Sequence, residues 1–382
     1  MDAKLYWLFG FVGLYWAYCL FWGIKGAIRS KTSADYFVAG RSIGVWVFVL
    51  AATATSFSGW TFVGHPGLIL QEGLPYAFAS FYALTIPFTG VMFLRRQWIL
   101  GKAFGHITPG EMYTEYYGGN AMRLLTVLVA FLFSVPYLGV QLRASGDLFH
   151  VLTDGMVSIE VGMFALSAVV MIYVASGGLR SVAYVDCAQC VLLALGIVIL
   201  GFIAITHIGG WSAFTDGLAA MVTQNLADGT KLTPDGHSSL VALPGSIQMV
   251  SANTEAVGSS WTGIMCMTYM FALMGIQSSP AFSMWAFANK TSEPFRLQQV
   301  YASSVVIGII LFTFTIVQGL GGNILESMGI LEAVNDKNLV PQLINLLSDS
   351  TPWLVGLLAV CALAAMQSTG AAYMSTFSGM VT

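Results

Sequence analysis

Charge is what this sequence has least of. Only 9% of its 382 residues are Asp, Glu, Lys or Arg, against roughly 25% in an ordinary soluble domain, so no water-facing surface can be covered by them. The net charge of -3 comes without any basic patch, which leaves no footprint for nucleic acid. Cysteine is also scarce. Cys19, Cys187, Cys190, Cys266 and Cys361 all fall inside apolar runs, where they act as small packing residues rather than a disulfide framework. Cys187 and Cys190 form a CxxC, but with no second pair or nearby histidine they give no metal or redox site. Transition-metal, nucleotide and haem chemistry are missing. Paired acids, triads and ligand clusters are missing from the apolar segments, so an enzyme is not expected, and no filter or ring-forming acidic motif supports a channel. A cleavable leader is not expected either: the run 5–24 is too long, has no basic region beyond Lys4, and is followed by Lys25, Arg29 and Lys31.

Hydrophobicity, at 57%, is present in excess and arranged in long runs. A bilayer core of about 30 Å takes roughly 20 apolar residues per helix. Nine segments meet that length, near 5–26, 44–70, 74–95, 122–150, 157–176, 184–208, 262–288, 299–322 and 353–380. The chain is therefore expected to be an all-α membrane protein with the lipid bilayer as its partner. Basic residues in short loops stay on the cytoplasmic side. Placing the N terminus outside collects Lys25, Arg29, Lys31, Arg41, Arg95, Arg96, Lys102, Arg123, Arg180, Lys290 and Arg296 inside. Lys4, Arg143, Lys231 and Lys337 are left outside with most of the acids. A plasma membrane or bacterial inner membrane is expected. The long loops 209–261 and 323–352 then lie outside, and the Asn289-Lys290-Thr291 glycosylation pattern is discounted because it falls inside. Residues 374–382 are small and helix-like with no stop signal, so the chain is expected to be truncated.

The second segment is not a plain anchor. Its middle reads Thr53-Ala54-Thr55-Ser56-Phe57-Ser58-Gly59-Trp60, then Gly64-His65-Pro66-Gly67. So many helix-weakening and hydroxyl residues predict an unwound stretch, tolerated at membrane depth only where protein or a watery cavity satisfies the freed carbonyls. The seventh segment holds a matching stretch, Gly275-Ile276-Gln277-Ser278-Ser279-Pro280. Paired interrupted helices in corresponding halves point to a transporter site, while kinks with hydroxyls bonded back to the helix are the plainer alternative. A third polar patch, Gln367-Ser368-Thr369-Gly370, offers hydroxyls of the kind hard cations prefer, or simply helix-packing residues.

These residues resemble the sodium/solute symporter family, which includes bacterial proline, pantothenate and sugar carriers. The resemblance covers nearly the whole chain. It rests on Asp35-Tyr36-Phe37-Val38-Ala39-Gly40-Arg41-Ser42-Ile43-Gly44, on Phe57-Ser58-Gly59-Trp60 with Gly64-His65-Pro66-Gly67, and on Gly177-Gly178-Leu179 with Asp186 and Gln189. It implies a LeuT-type core of five-plus-five inverted repeats preceded by one extra helix, with core helices nine and ten absent from this chain. It implies a secondary active transporter that couples sodium to a small polar organic solute, such as an amino acid, carboxylate or sugar, by alternating access. By position it implies a sodium site of backbone oxygens from Ala54, Phe57 and Ala365 and hydroxyls of Ser368 and Thr369.

Asp186 matches an acid on the family's inner ion path, or is a plain cytoplasmic helix-end charge. Arg41 matches a gating or orienting arginine, or is a positive-inside residue. The substrate pocket is expected to draw on Ser56, Trp60, His65, Tyr137, Met274, Gln277 and Ser278. His65 also reads as a packed neutral histidine. Gly59, Gly64, Pro66, Gly67 and Pro280 are expected to shape the breaks and act in gating or structure. Ser56 stands where proline carriers have aspartate, a departure that bears on ion dependence, and Met270 and Met274 stand where they have aromatics, so proline is not the expected solute. Two rival readings follow: a proton-coupled or ion-independent carrier on the same scaffold, and a membrane sensor module with a C-terminal histidine-kinase domain beyond this chain.

Overall fold

A computed structural model describes residues 3–79, 81–221, 239–241 and 262–381. Its long elements are helical because the apolar runs leave the backbone no water to bond with, and a helix satisfies each N–H and C=O internally. Helix α1 (Ala3–Arg29) ends on basic Arg29, which suits the negative end of the helix dipole. After it, α2 (Ser33–Phe37) starts with a capping box in which Thr32 and Asp35 satisfy each other's backbone N–H.

The next span is a bent pair. Helix α3 (Val45–Ser56) and helix α4 (Trp60–Glu72) meet at 57°, and the first turn of α4 is of π type. There follow α5 (Leu74–Phe104, with Ser80 outside the described residues), α6 (Pro109–Tyr117), α7 (Ala121–Leu152) and the 50-residue α8 (Ile159–Ile208). At 1.5 Å per residue α8 is far too long for one crossing. Gly178 breaks it at φ 58°, ψ −159°, a backbone region essentially reserved for glycine. The turn is sharp: Ser181 Oγ donates to Tyr173 O at 3.1 Å, and the Tyr173 hydroxyl faces Gln189, sixteen positions further along. The two halves of α8 therefore run as separate spans, corresponding to segments 157–176 and 184–208.

Helix α9 (Trp211–Ala220) lies in the first long loop, whose residues 222–238 and 242–261 are outside the described set. Helices α10 (Gly263–Ser278) and α11 (Pro280–Ala288) are parted by a second break at Ser279, whose backbone is extended at φ −64°, ψ 160°. Then come α12 (Pro294–Ser327), α13 (Leu339–Asn345) within the second long loop, and α14 (Pro352–Val381). Among the described residues, six helices are long and apolar enough to cross a membrane, and the bent α3–α4 pair makes a seventh if it is counted as one span. At the centre lies α14, buried along most of its length by α1, α7, α8 and α3. Its small residues Ala362, Ala364, Ala365, Gly370 and Ala371 let these neighbours approach closely. The outer face of α7, by contrast, exposes Leu124, Leu128, Leu132 and Val135, as a bilayer-facing helix does.

Candidate functional site

The break after α3 begins at Phe57, which leaves helical geometry at φ −120°, ψ 111°. Carbonyls at this end are released from the regular ladder, and α14 fills the gap with hydroxyls. Ser368 Oγ lies 3.1 Å from Ala54 O and 3.1 Å from Ala365 O, and Thr369 Oγ1 lies 3.4 Å from Thr55 O. Ala54, Phe57, Ala365, Ser368 and Thr369 are all buried. The structure thus gathers α3 and α14 at one place, with an oxygen-only donor set of the kind that holds a hard cation. In this state the hydroxyls donate to the carbonyls; a cation would take the oxygens of both.

Behind this cluster stands Asp186 on α8. Its carboxylate is fully buried, so it is not a helix-end charge in water. Oδ2 accepts from Thr55 Oγ1 at 3.5 Å, and Oδ1 has no partner among the described residues. Thr55 also accepts from the Trp285 indole at 3.2 Å.

The second half-helix is seated by Gln141 on α7. Its Oε1 accepts the Gly59 N–H at 2.8 Å, which satisfies one of the donors that a helix start leaves open. Gly59 is required here by space, since a Cβ would stand 2.6 Å from Met366 Cγ and 2.8 Å from Gln141 Oε1. Gly64 lies under the Trp60 ring, and Gly67 lets the Asp336 backbone of the second long loop approach. Pro66 is buried in the first turns of α4. Arg41 is half-buried and donates to His106 O at 3.0 Å and Phe287 O at 3.4 Å, tying its loop to the ends of α5 and α11.

A cavity of about 480 Å³ lies between α7, the α10–α11 break and α14. Tyr137, Ser278 and Pro280 line it, together with Phe133, Ser279 and Tyr373. Tyr137 packs edge-on against Tyr373, whose hydroxyl meets Ser279 Oγ at 3.1 Å, and the Tyr137 hydroxyl faces Ser58 in the first break. The other pocket candidates lie elsewhere. Ser56 and Gln277 are buried behind the wall, bonded to each other at 2.7 Å. Met274 turns its carbonyl to the Thr89 hydroxyl and is not among the lining residues, nor is Trp60. His65 is wholly buried, its Nδ1 3.0 Å from Thr315 Oγ1 and its ring among Tyr76 and Tyr82, which is a packed position away from the cavity. Sequence reasoning missed Thr55, Gln141, Gln298, Gln299 and Tyr373. The signal for three of them was available, because a glutamine in a membrane span has to find partners.

The profile of the sodium:solute symporter family matches residues 36–382. The osmoregulated proline transporter OpuE of Bacillus subtilis is 24% identical over 203 residues, 52% of this chain and 41% of that protein. The sodium/proline symporter of Salmonella typhimurium is 28% identical over 192 residues, 48% of this chain and 37% of that one. Solute carrier family 5 member 4B of Mus musculus is 26% identical over 53% of this chain and 30% of its own length. The match thus spans less than half the length of each of these relatives. A solved substrate-bound, outward-open state of a Na+-coupled sialic acid symporter superposes with a TM-score of 0.76 at 17% identity, covering all of this chain and 72% of that one. The fold is that all-α, LeuT-type fold. With the profile matching nearly its whole length, this chain belongs to the sodium:solute symporter family.

Proposed function

We propose that this chain works as a sodium-coupled symporter for a small polar organic solute, by alternating access. The observation that carries the proposal is the meeting of the Ser368 hydroxyl with the Ala54 and Ala365 carbonyls at 3.1 Å each, in a buried, oxygen-only cluster. Sodium bound there by Ala54, Phe57, Ala365, Ser368 and Thr369 draws α3 and α14 together. Asp186, buried with no Lys, Arg or His paired to it among the described residues, supplies the negative charge along the ion's path through Thr55. The solute occupies the cavity at the α10–α11 break, where Tyr137, Ser278 and Tyr373 offer hydroxyls on an aromatic wall.

The N terminus lies outside, following the distribution of Lys and Arg. Two relatives, a proline transporter and a sodium/proline symporter, support a small organic solute. The driving force suffices: one monovalent cation crossing 100 mV releases about 2.3 kcal/mol, and a tenfold gradient adds about 1.4 kcal/mol.

The test is uptake into proteoliposomes containing the full-length protein, using labelled amino acids, carboxylates and sugars under an inward sodium gradient. At least one solute is expected to accumulate with sodium and not with potassium. Accumulation that follows a pH gradient regardless of sodium would overturn the coupling ion.

A further inference from the structure

Gln277 sits in the second helix break but turns away from the cavity that Ser278 and Ser279 line. It is wholly buried, and its Nε2 donates to Ser56 Oγ at 2.7 Å, so a direct side-chain bond joins the two breaks. The hydroxyl hydrogen of Ser56 goes to Ala52 O at 2.8 Å, which leaves its lone pairs for the amide. On the other side, Gln277 Oε1 accepts from Gln299 Nε2 at 3.0 Å. Gln299 Nε2 also donates to Gln298 Oε1. Gln298 Nε2 reaches back to Thr53 Oγ1 at 3.5 Å and holds Ser303 Oγ at 2.9 Å. Thr53 and Ser56 are three positions apart on α3 and share a face, so the bonds close a ring through that turn. All five ring side chains are buried. A fourth helix is drawn in at Gly90 on α5, where a Cβ would stand 2.2 Å from Gln299 Oε1, so the amide occupies the space of a side chain.

Hydrogen bonds between amides are strong in a low-dielectric interior, and unmade ones are costly. The ring therefore keeps its members in register when any one of them moves. The ion cluster lies at the same end of α3, since Ala54 is flanked by Thr53 and Thr55 and precedes Ser56 by two. We propose that Gln277, held by Gln299 and Gln298, is the positioning residue that carries the state of the Ser368–Thr369 ion site from the first break to the second, and so to the cavity wall at Ser278. This rests on the sodium reading of that site. Ion entry pulls the end of α3 toward α14, the Ser56–Gln277 bond moves with it, and the α10–α11 break changes its exposure. Gln277 touches neither ion nor solute and acts through its neighbours.

The experiment needs no solute. In the full chain carrying Ser278→Cys, the rate of maleimide alkylation at position 278 is read by peptide mass spectrometry with and without sodium, and radiolabelled sodium binding is measured on the same samples. Sodium is expected to change the rate by about fivefold or more, the usual scale of coupling between sites. Adding Ser56→Ala or Gln277→Leu is expected to abolish that response while sodium still binds. The two together are expected to lose no more than either alone, because the bond can be lost only once. Ser56→Ala removes a single oxygen and keeps the test decisive if Gln277→Leu does not fold. A sodium response that survives Ser56→Ala with binding intact overturns the proposal, as does a chain that binds sodium without any change at position 278. No sodium binding in the starting chain overturns the sodium reading itself.

Discussion

Gly59→Ala pits local preference against space at the ion site. Gly59 lies at φ −57°, ψ −29°, a conformation any residue adopts, and helix propensity favours alanine there by about 1 kcal/mol. The new methyl, however, would stand 2.6 Å from Met366 Cγ and 2.8 Å from Gln141 Oε1, where ordinary contact begins at 3.4 Å. Gln141 is held by the Gly59 N–H, and moving it leaves that buried donor unpaired at a cost of about 1–3 kcal/mol. Met366 lies on α14 between Ala365 and Ser368, so moving it instead pushes apart the ligands of the proposed ion. Steric relief by either route outweighs the propensity gain by up to about 2 kcal/mol, which corresponds to sodium binding weaker by up to about thirtyfold. Radiolabelled sodium titration of purified protein measures it. Adding Met366→Ala opens the space and is expected to restore much of the affinity. Wild-type affinity in Gly59→Ala, or a double variant no better than the single, would refute the reasoning.

Asp186→Asn removes the buried carboxyl group next to Thr55 and is expected to weaken sodium binding by about 1.5–3 kcal/mol, read in the same titration as a loss of about ten- to hundredfold; an unchanged affinity would remove Asp186 from the ion path. Gly178→Ala forces a Cβ to within 2.4 Å of Tyr36 O in a backbone region only glycine occupies. It is expected to cost at least about 1–3 kcal/mol, seen as a lower temperature at which half the protein stays monodisperse in detergent. Gly90→Ala displaces the Gln299 amide and is expected to remove the sodium response at position 278, as Gln277→Leu does; a normal response would show that Gln299 does not hold the ring.

Much of this architecture was legible because apolar length and glycine placement act locally. The interruptions at 57–59 and 278–280 follow from serine, glycine and proline in positions where a helix needs neither. Boundaries were less so. The segment 74–95 was closed at Arg95 and Arg96, yet α5 runs on to Phe104, because a helix does not end where a membrane does and its exposed basic turns are satisfied by water. The gap expected between 176 and 184 shrinks to one residue, Gly178, since a single left-handed φ suffices to turn the chain.

Within the site, residue type was readable and direction was not. Gln277 and Ser278 are adjacent, but an irregular turn sends one into the buried ring and the other into the cavity, and no periodicity applies there. His65 could face either way from sequence alone, and packing against Tyr76 and Tyr82 decides it. Gln298 and Gln299 were passed over because charges and breaks were weighed, although a polar pair inside an apolar run carries the same cost of burial.

The measurement that bears most directly on the central claim is sodium binding to the Ser368→Ala, Thr369→Ala variant, by scintillation proximity with radiolabelled sodium on full-length protein, with potassium as competitor control. Saturable binding in the wild type that potassium does not displace, and its loss in a monodisperse variant, is the predicted result. Undiminished binding in the variant would contradict the account.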